Sequence, residues 1–269
     1  MKPNNDIKNF LKEYTWGREG SGYYEIQQVS ESLFEHPGYS MLLDYSKGVG
    51  KILDVGCGEG SKTNQIYLKS GAIAAYGVDI SPFAIATAKK RYPKIHFIEA
   101  DVETLPFEDG FFDLVYTGFV LEHTQNPEKV VREIIRVTRV GGFGVILCPN
   151  YGSPNRCSPP FKGNRIKKLL LGVLNDINFF STDLNWGSVT PLSDGKNLHV
   201  MDYDTTVEPY IRTLRNFLKH NGVKIVECTS LWSLENGNSF YHRFFSFLGK
   251  KNLYPFNYWG PQVMLLFKK

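Results

Sequence analysis

The stretch ILDVGCGEG, residues 52–60, decides the fold. An apolar run of β-forming residues ends in a loop with glycine at every second position, Gly56, Gly58 and Gly60, and a helical stretch follows. This order predicts a strand, a tight turn and a helix, with a turn that lets the backbone approach a ligand closely. A tight turn without a ligand would use the same residues, so the loop indicates a ligand site only if other motifs of the chain support it.

From Lys51 to Pro149, short β-rich runs alternate with helical ones, which is the pattern of parallel βαβ units. Ser81 and Pro82 supply an N-cap and a first-turn proline for one helix. A second helix is predicted over PEKVVREIIRVTR, with the glycine pair 141–142 ending it. We therefore predict an α/β fold with a doubly wound, mostly parallel sheet. Its strands are placed at residues 51–55, 74–79, 95–100, 112–117 and 143–149.

After Pro149 the alternation of strand-like and helical runs stops. The stretch YGSPNRCSPPFKGN is rich in Pro, Gly and Asn, and the next strand-like run begins only at Val223, which predicts an inserted lid or binding loop. A helix is predicted near 205–220, followed by strands VKIVECTSLW and QVMLLFKK. Only a short helix, 240–248, could lie between these two strands, so we expect a C-terminal antiparallel hairpin that completes a seven-stranded sheet. The predicted divisions are 1–45, an N-terminal helical segment over the ligand site; 46–150, the core; 151–203, the insertion; and 204–269, the completion of the sheet.

Bulk properties exclude several classes of protein. The net charge of +4 is spread along the chain, so nucleic-acid binding is not predicted. The densest basic stretch, Lys162–Lys168, is interpreted as a solvated helix start, with contact to an acidic surface as the alternative. The four cysteines form no C-x-x-C pair, which favours reduced thiols over a metal site. Because no apolar run approaches the roughly 20 residues of a membrane span, we expect a cytoplasmic protein. The oligomeric state stays open.

Two acidic residues support the interpretation of the glycine loop as part of a ligand site. Asp79 ends the second strand and is positioned to accept hydrogen bonds from both hydroxyls of a ribose, although Ser81-Pro82 directly after it also allows a helix-capping role. Asp101 follows the third strand and can face the amino edge of adenine. Because parallel strands end at one edge of the sheet, these elements together predict a nucleoside pocket.

The stretches LDVGCGEG, GVDIS, ADVETLPFEDGFFDLV and LEHTQNPEKVVREIIRVTRVGG together resemble the Rossmann-like class I methyltransferases, especially the small-molecule branch of ubiquinone-biosynthesis and sugar-modifying enzymes. The resemblance implies S-adenosylmethionine as cofactor, S-adenosylhomocysteine as product, and a small-molecule acceptor such as a sugar, lipid or aromatic metabolite. In that family the glycine loop holds the methionine part, the second-strand acid holds the ribose, and the residues after the third strand hold adenine. The cofactor-binding residues so expected are Asp54, Gly56, Cys57, Gly58, Asp79, Ile80, Asp101, Val102, Thr117 and Gly118.

Two other functions remain open. An NAD-dependent oxidoreductase also uses a glycine loop and a second-strand acid, but its G-x-G-x-x-G pattern needs glycine or alanine where this chain has Ser61, and no second nucleotide-binding half follows Pro149. A non-catalytic protein that binds S-adenosylmethionine would retain the same pocket. Turnover on an acceptor would distinguish an enzyme from it.

The residues that would act on an acceptor are less well marked. His123, after the fourth strand, and His199, at the end of the insertion, are the candidate general bases, although each has an ordinary packing or capping role as an alternative. Since alignment of the reactants alone supplies about 7–11 kcal/mol, methyl transfer does not require a base. In the enzymes that this chain resembles, an N-terminal segment folds over the cofactor, and Trp16, Tyr23 and Tyr24 would belong to such a cover here. Residues 151–200 are interpreted as a lid for an apolar, aromatic or sugar acceptor, with a structural flap as the alternative.

Overall fold

The computed structural model describes residues 31–177, 182–191, 202–232, 240–251 and 253–269. By their internal contacts they form two compact units. Unit 1 contains the described residues up to Val120, with Gln125–Val145 and Lys269, and unit 2 contains Leu121–Thr124 and the described residues of Ile146–Lys268. The predicted cover residues Trp16, Tyr23 and Tyr24, and the candidate base His199, lie outside the described residues.

In unit 1, strands alternate with helices over residues 51–99, and the next strand, Phe112–Gly118, follows without a helix before it. The predicted helix start is confirmed at Ser81, whose hydroxyl accepts a hydrogen bond from the Ala84 amide at 3.2 Å, with proline in the first turn. The elements of unit 1 are a 3-10 helix Glu31–Glu35, α1 Pro37–Ser46, β1 Lys51–Val55, α2 Ser61–Ser70, β2 Ala74–Asp79, α3 Pro82–Arg91, β3 His96–Glu99, β4 Phe112–Gly118 and α4 Pro127–Val137.

The remaining elements mix short strands with helices. Strand β5, Thr138–Pro149, has its first part in unit 1 and its last four residues in unit 2. The other elements of unit 2 are a 3-10 helix Leu121–His123, α5 Arg165–Ile177, β6 Gly187–Ser188, β7 Val207–Glu208, α6 Ile211–His220, β8 Lys224–Ser230, α7 Phe240–Lys250 and β9 Gln262–Lys268. No described helix is both long enough and apolar enough to cross a lipid bilayer.

The main sheet has seven strands in the order β3-β2-β1-β4-β5-β9-β8, which confirms the predicted fold class. Strand β1 pairs in parallel with β2 and β4, with Asp54 opposite Gly77 on one side and Tyr116 on the other. Strands β8 and β9 are antiparallel, as the lack of a long crossover between them predicted. The carboxyl ends of β1, β2 and β4 therefore share one edge of the sheet within unit 1.

One predicted boundary was wrong. The helix of PEKVVREIIRVTR ends at Val137, not at the glycine pair 141–142, and β5 begins at once with Thr138. The Thr138 hydroxyl donates to the Ile134 carbonyl at 2.6 Å, and the first residues of β5 are extended backbone that hydrogen-bonds to Lys269. The hydrogen bonds of Gly141 and Gly142 to Lys269 span 128 and 127 positions, and contacts this distant leave no local sequence signal, whereas a glycine pair predicts a helix stop.

The helix predicted near 205–220 is also shorter than expected. Val207 and Glu208 form a short strand that pairs with Gly187 and Ser188, and the helix begins only at Ile211, after its N-cap residue Tyr210. Its apolar face, with Ile211, Leu214, Phe217 and Leu218 buried, agrees with the predicted helical periodicity.

Candidate functional site

The glycine loop between β1 and α2 is held by backbone hydrogen bonds. The amides of Gly56 and Cys57 both donate to the Val78 carbonyl, at 2.8 and 3.0 Å. Gly56 has φ +83°, and a Cβ added there would lie 2.2 Å from a methyl carbon of Val120, just beyond β4. Only glycine fits this position, since it tolerates both the left-handed backbone and the close packing. The loop is thus a preformed turn at the carboxyl edge of the sheet.

Asp79 ties this loop to the start of the next helix. One carboxylate oxygen accepts from the Gly58 amide and the other from the Ser81 amide, both at 2.9 Å. The helix cap itself is Ser81, so Asp79 braces two loops and is not the capping residue. Each oxygen keeps a second lone pair, which is what acceptance from two ribose hydroxyls requires. Burial raises the pKa of Asp79, although its backbone hydrogen bonds oppose this shift.

Asp54 lies beneath the loop and is 3% exposed. Its Oδ2 accepts hydrogen bonds from the hydroxyls of Thr63, at 2.6 Å, and Tyr116, at 2.7 Å. Burial raises the pKa of the Asp54 carboxyl to about 6, against the opposing effect of these two hydrogen bonds. Asp54 therefore fixes β1 to α2 and β4 from below the glycine loop.

The first described helix packs against the same edge. A Cβ added to Gly118 would lie 2.5 Å from the hydroxyl oxygen of Tyr39 on α1. The ammonium of Lys62 lies 5.8 Å from the centre of the Tyr39 ring. Phe119 has φ +62°, a strained conformation for a bulky residue, and its ring contacts His36 at 6.0 Å between ring centres. Strain of this kind tends to accumulate at functional sites.

The other predicted cofactor residues differ in what they offer. Asp101 accepts a hydrogen bond from the Glu103 amide at 2.9 Å and stays partly exposed, beside the buried Val102. Ile80 is also partly exposed. Thr117 is fully buried, and its hydroxyl donates to the Val55 carbonyl at 2.9 Å. Any contact of Thr117 with a ligand would thus have to use its backbone.

His123 lies in unit 2, in a cluster of buried acidic groups. Its Nδ1 is 3.6 Å from a carboxylate oxygen of Asp204, and its Nε2 is 3.8 Å from a carboxylate oxygen of Glu122. Burial would lower the pKa of His123, but these acids outweigh it and the pKa is raised. Burial also raises the pKa of Glu122 to about 7. Nearby, the Tyr151 hydroxyl donates to Asp202, whose φ of +52° is left-handed.

Unit 2 also contains a cavity of about 580 Å³ between α5, the β6 segment and α6. Its charged side chains occur in pairs: Lys168 Nζ lies 2.6 Å from Glu208 Oε2, and Arg212 lies 3.8 Å from Asp176. Two cations and two carboxylates leave the lining with no net charge. The volume is in the range of small-molecule pockets.

Asp176 is the centre of the hydrogen bonds on one side of this cavity. Its two oxygens accept from the Tyr210 hydroxyl at 2.8 and 2.6 Å. Oδ2 also accepts from the Tyr254 hydroxyl at 3.2 Å and from the Trp259 indole at 3.1 Å. Asp176 is 3% exposed, so the segment with Tyr210 and the segment with Tyr254 and Trp259 are both held to α5 by one buried carboxylate.

Uncharged polar groups complete the lining. Within the described residues, the carboxamides of Asn175, Asn185 and Asn216 make no hydrogen bond to one another or to any other residue. The Trp186 ring is fixed, because its indole donates to the Thr213 hydroxyl at 2.9 Å. A carboxamide both donates and accepts, so these groups match ligand hydroxyls better than ligand charges.

Sequence reasoning missed Tyr39, Tyr116, Asp176 and Asp204. Tyr116 alone had an available signal, because in a parallel register it lies opposite Asp54. The others reach their partners through contacts between segments far apart in the chain, for which the sequence carries no local pattern.

Comparison with known proteins agrees with this geometry. A family model described as a methyltransferase domain matches residues 53–146. Norajmaline N-methyltransferase of Rauvolfia serpentina is 39% identical over 110 residues, covering 39% of this chain and 37% of that protein. Demethylmenaquinone methyltransferase of Chlorobaculum tepidum is 36% identical over 99 residues, covering 37% of this chain and 40% of that protein. The aligned stretch thus spans about two fifths of the length of these curated relatives.

The fold has a solved counterpart. A crystal structure of an S-adenosylmethionine-dependent methyltransferase from Mesorhizobium loti has a TM-score of 0.56 and 16% identity, covering 89% of this chain and 99% of that one. The resemblance to class I methyltransferases is therefore confirmed for the matched domain and for the fold. The finer placement, in the ubiquinone-biosynthesis and sugar-modifying branch, stays a prediction.

Proposed function

We propose that this chain is an S-adenosylmethionine-dependent methyltransferase that transfers a methyl group to a small-molecule acceptor and releases S-adenosylhomocysteine. The observation that carries the proposal is the glycine loop braced by Asp79 at the carboxyl edge of the sheet, in a stretch that matches a methyltransferase domain. Both curated relatives named above are methyltransferases of small molecules, one of an alkaloid and one of a quinone.

The residues of unit 1 fit this cofactor. Asp79 has acceptor capacity left for ribose hydroxyls, the loop at Gly56 and Gly58 would hold the methionine part, and Asp101 with Val102 would hold adenine. When bound, the cofactor supplies an electrophilic methyl group on a sulfonium.

The chain's own contribution would be to orient the acceptor, exclude water and accept its proton. The cavity of unit 2 is the candidate acceptor site, because its volume and its free carboxamides suit a neutral polar molecule such as a sugar or a hydroxylated ring. His123 is the candidate proton acceptor, and Asp204 would stabilise the imidazolium that forms. The described part of residues 151–203 lines this cavity through α5 and Trp186, which supports the interpretation of this stretch as acceptor-binding.

An NAD-dependent oxidoreductase is the alternative from another enzyme class. Ser61 is the first residue of α2 and is buried, with its amide 3.3 Å from Glu59 Oε1. A dinucleotide site places glycine or alanine here so that the helix can pack closely on the strand, and it binds the pyrophosphate at the helix N-terminus, where this chain has the Glu59 carboxylate. The repulsion between Glu59 and a pyrophosphate disfavours NAD.

Calorimetric titration tests the proposal. We expect binding of S-adenosylmethionine and of S-adenosylhomocysteine in preference to NAD, followed by transfer of a labelled methyl group to a component of a metabolite extract. Binding of NAD with no response to either sulfur nucleoside would refute the proposal. Cofactor binding without transfer to any acceptor would identify a non-catalytic binding protein.

A further inference from the structure

Helix α5 turns its polar face towards the protein. Lys168 and Asp176 are eight positions apart, about two helical turns, and both line the cavity of unit 2. Lys168 donates to Glu208 at 2.6 Å and Asp176 accepts from Tyr210, so both charges are fixed inside. A surface helix of a water-exposed protein normally has the opposite arrangement, with apolar residues inward and charges outward.

The opposite face of α5 is aliphatic and exposed. Its residues recur at intervals of three and four, so that they form one continuous stripe. A contiguous exposed apolar patch of this kind marks an interaction site, whereas single apolar residues scattered over a protein surface are common and need no explanation. The stripe consists of Ile166, 70% exposed, Leu170, 61%, Leu174, 61%, and Ile177, 64%.

A second exposed apolar surface lies beside the end of α5. The hydroxyl of Tyr254 donates to Asp176 Oδ2 at 3.2 Å, which places the segment after α7 against the last turn of α5. This segment and α7 expose Phe244, 45%, Phe247, 54%, Leu253, 49%, and Tyr254, 47%. We group these four side chains with the stripe of α5 under the name docking face.

The surroundings of the docking face are basic. Residues 160–177 contain one acid, the buried and hydrogen-bonded Asp176, and residues 240–254 contain none. Within residues 160–177 and 240–254, the charged side chains that the structure describes as exposed are all positive: Lys162, Arg165, Lys167, Arg243 and Lys251. A binding partner of the docking face must therefore offer both negative charge and an apolar interior.

We propose that the docking face binds the surface of an anionic lipid bilayer, with α5 and α7 lying in the plane of the interface. Helices that lie in the headgroup region of membranes combine apolar Leu, Ile and Phe with basic Lys and Arg, as this face does. Helix α5 has 13 residues and is too short to span a bilayer, for which about 20 are needed. A second copy of the chain is a poorer partner, because it would bring the same five cations face to face. Docking would bring the protein to an acceptor dissolved in or attached to a lipid layer.

Flotation with lipid vesicles tests this inference on the full chain, without cofactor or acceptor, so that the result is separate from that of the proposed function. We expect the protein to float with phosphatidylcholine vesicles that contain phosphatidylglycerol, and to dissociate from them as salt is added. The change Leu170→Glu with Leu174→Glu should weaken vesicle binding about tenfold or more, since two aliphatic side chains would no longer enter the interface. Charge reversal of Lys162 and Lys167 should weaken it roughly fivefold or more for each residue.

The matched control lies in unit 1. Leu68 and Ile73 are as exposed as the α5 residues, at 68% and 83%, but they do not recur along one helix: Leu68 lies in α2 and Ile73 lies between α2 and β2. The control Leu68→Glu with Ile73→Glu should leave vesicle binding unchanged, and circular dichroism should show that both double variants are folded. Wild-type protein that fails to float with anionic vesicles at low salt, or equal loss in both double variants, would overturn the inference. So would a dimer that the Leu170→Glu, Leu174→Glu variant abolishes, because the face would then join two copies.

Discussion

The cofactor site of unit 1 and the cavity of unit 2 are held together in different ways. Asp79 accepts hydrogen bonds from backbone amides 21 and 2 positions away in the sequence. Asp176 accepts from side chains 34, 78 and 83 positions away. A site fixed by backbone groups constrains few side chains, whereas one fixed by side chains depends on each of them. The following predictions measure this difference, from the largest expected effect to the smallest.

The largest effect is expected for Asp176→Ala. Removing this carboxylate leaves two tyrosine hydroxyls, the Trp259 indole and the Arg212 guanidinium without their shared partner, and should cost about 3–5 kcal/mol of unfolding free energy. Urea unfolding followed by tryptophan fluorescence measures it, since Trp186, Trp232 and Trp259 all lie in unit 2. Asp44→Ala, which removes an exposed ion pair with Lys47, should cost less than about 1 kcal/mol. Equal effects would mean that Asp176 does not hold unit 2 together.

Gly56→Ala should be the most damaging single change in the glycine loop. It combines a left-handed backbone with a Cβ placed 2.2 Å from Val120. We expect the variant to lose about 2–4 kcal/mol of unfolding free energy and to lose cofactor binding as well. Gly71→Ala is the control, because Gly71 has φ +68° but no atom within 4 Å of its added Cβ. It should cost only about 1–2 kcal/mol. If the two variants lose the same stability, close packing against Val120 is not what requires glycine at 56.

Asp79→Ala should act on cofactor binding. Loss of a charged hydrogen-bond acceptor should weaken binding of S-adenosylmethionine by about 1.5–3 kcal/mol, which calorimetry measures directly. Glu99 ends the neighbouring strand and is exposed, so Glu99→Ala should leave the affinity unchanged. A folded Asp79→Ala variant with normal affinity would reduce Asp79 to a brace between Gly58 and Ser81.

The smallest effect is a difference in pH dependence. Burial raises the pKa of Asp54, in unit 1, from 3.8 to about 6, and that of Glu122, in unit 2, from 4.5 to about 7. A carboxyl whose pKa is higher in the folded state binds more protons there, so its contribution to stability is present at low pH and is lost as the pH rises. For Asp54 this loss runs from about pH 4 to 6, and for Glu122 from about pH 4.5 to 7.

We therefore expect each amide variant to flatten a different part of the stability curve. Asp54→Asn should change the slope at the acidic end, and Glu122→Gln should change it near pH 6.5, by about 1 kcal/mol per pH unit in each case. His123, whose pKa is raised by Asp204 and Glu122, adds a loss in the same direction above its usual 6.5. Unfolding in urea over this pH range provides the test. Slopes unchanged from wild type in either variant would show that the carboxyl titrates normally.

The alternation of strands and helices was predictable because each element is short and its signals are local. The β1 and β2 boundaries match the prediction residue for residue, and Ser81 caps α3 as expected. Predictions failed where a distant segment intervened: Lys269 hydrogen-bonds to Gly141 and Gly142, which lie within β5 and do not end a helix, and Val207 and Glu208 pair with Gly187 and Ser188 instead of joining the following helix. Local propensity is a weak guide wherever long-range hydrogen bonds compete with it.

The sequence alone determined the α/β class, the glycine loop and the acid that ends β2. These features depend on neighbouring residues, because glycines permit the turn and apolar residues repeat every two positions in strands and every 3.6 positions in helices. Only the tertiary structure decided that Asp79 joins Gly58 to Ser81, that the pair Lys168 and Asp176 faces inward on α5, and that its leucines face outward. The apolar spacing of α5 predicts a buried face equally well. Which face of a helix is buried depends on the partners that fold against it, and those partners lie far away in the chain.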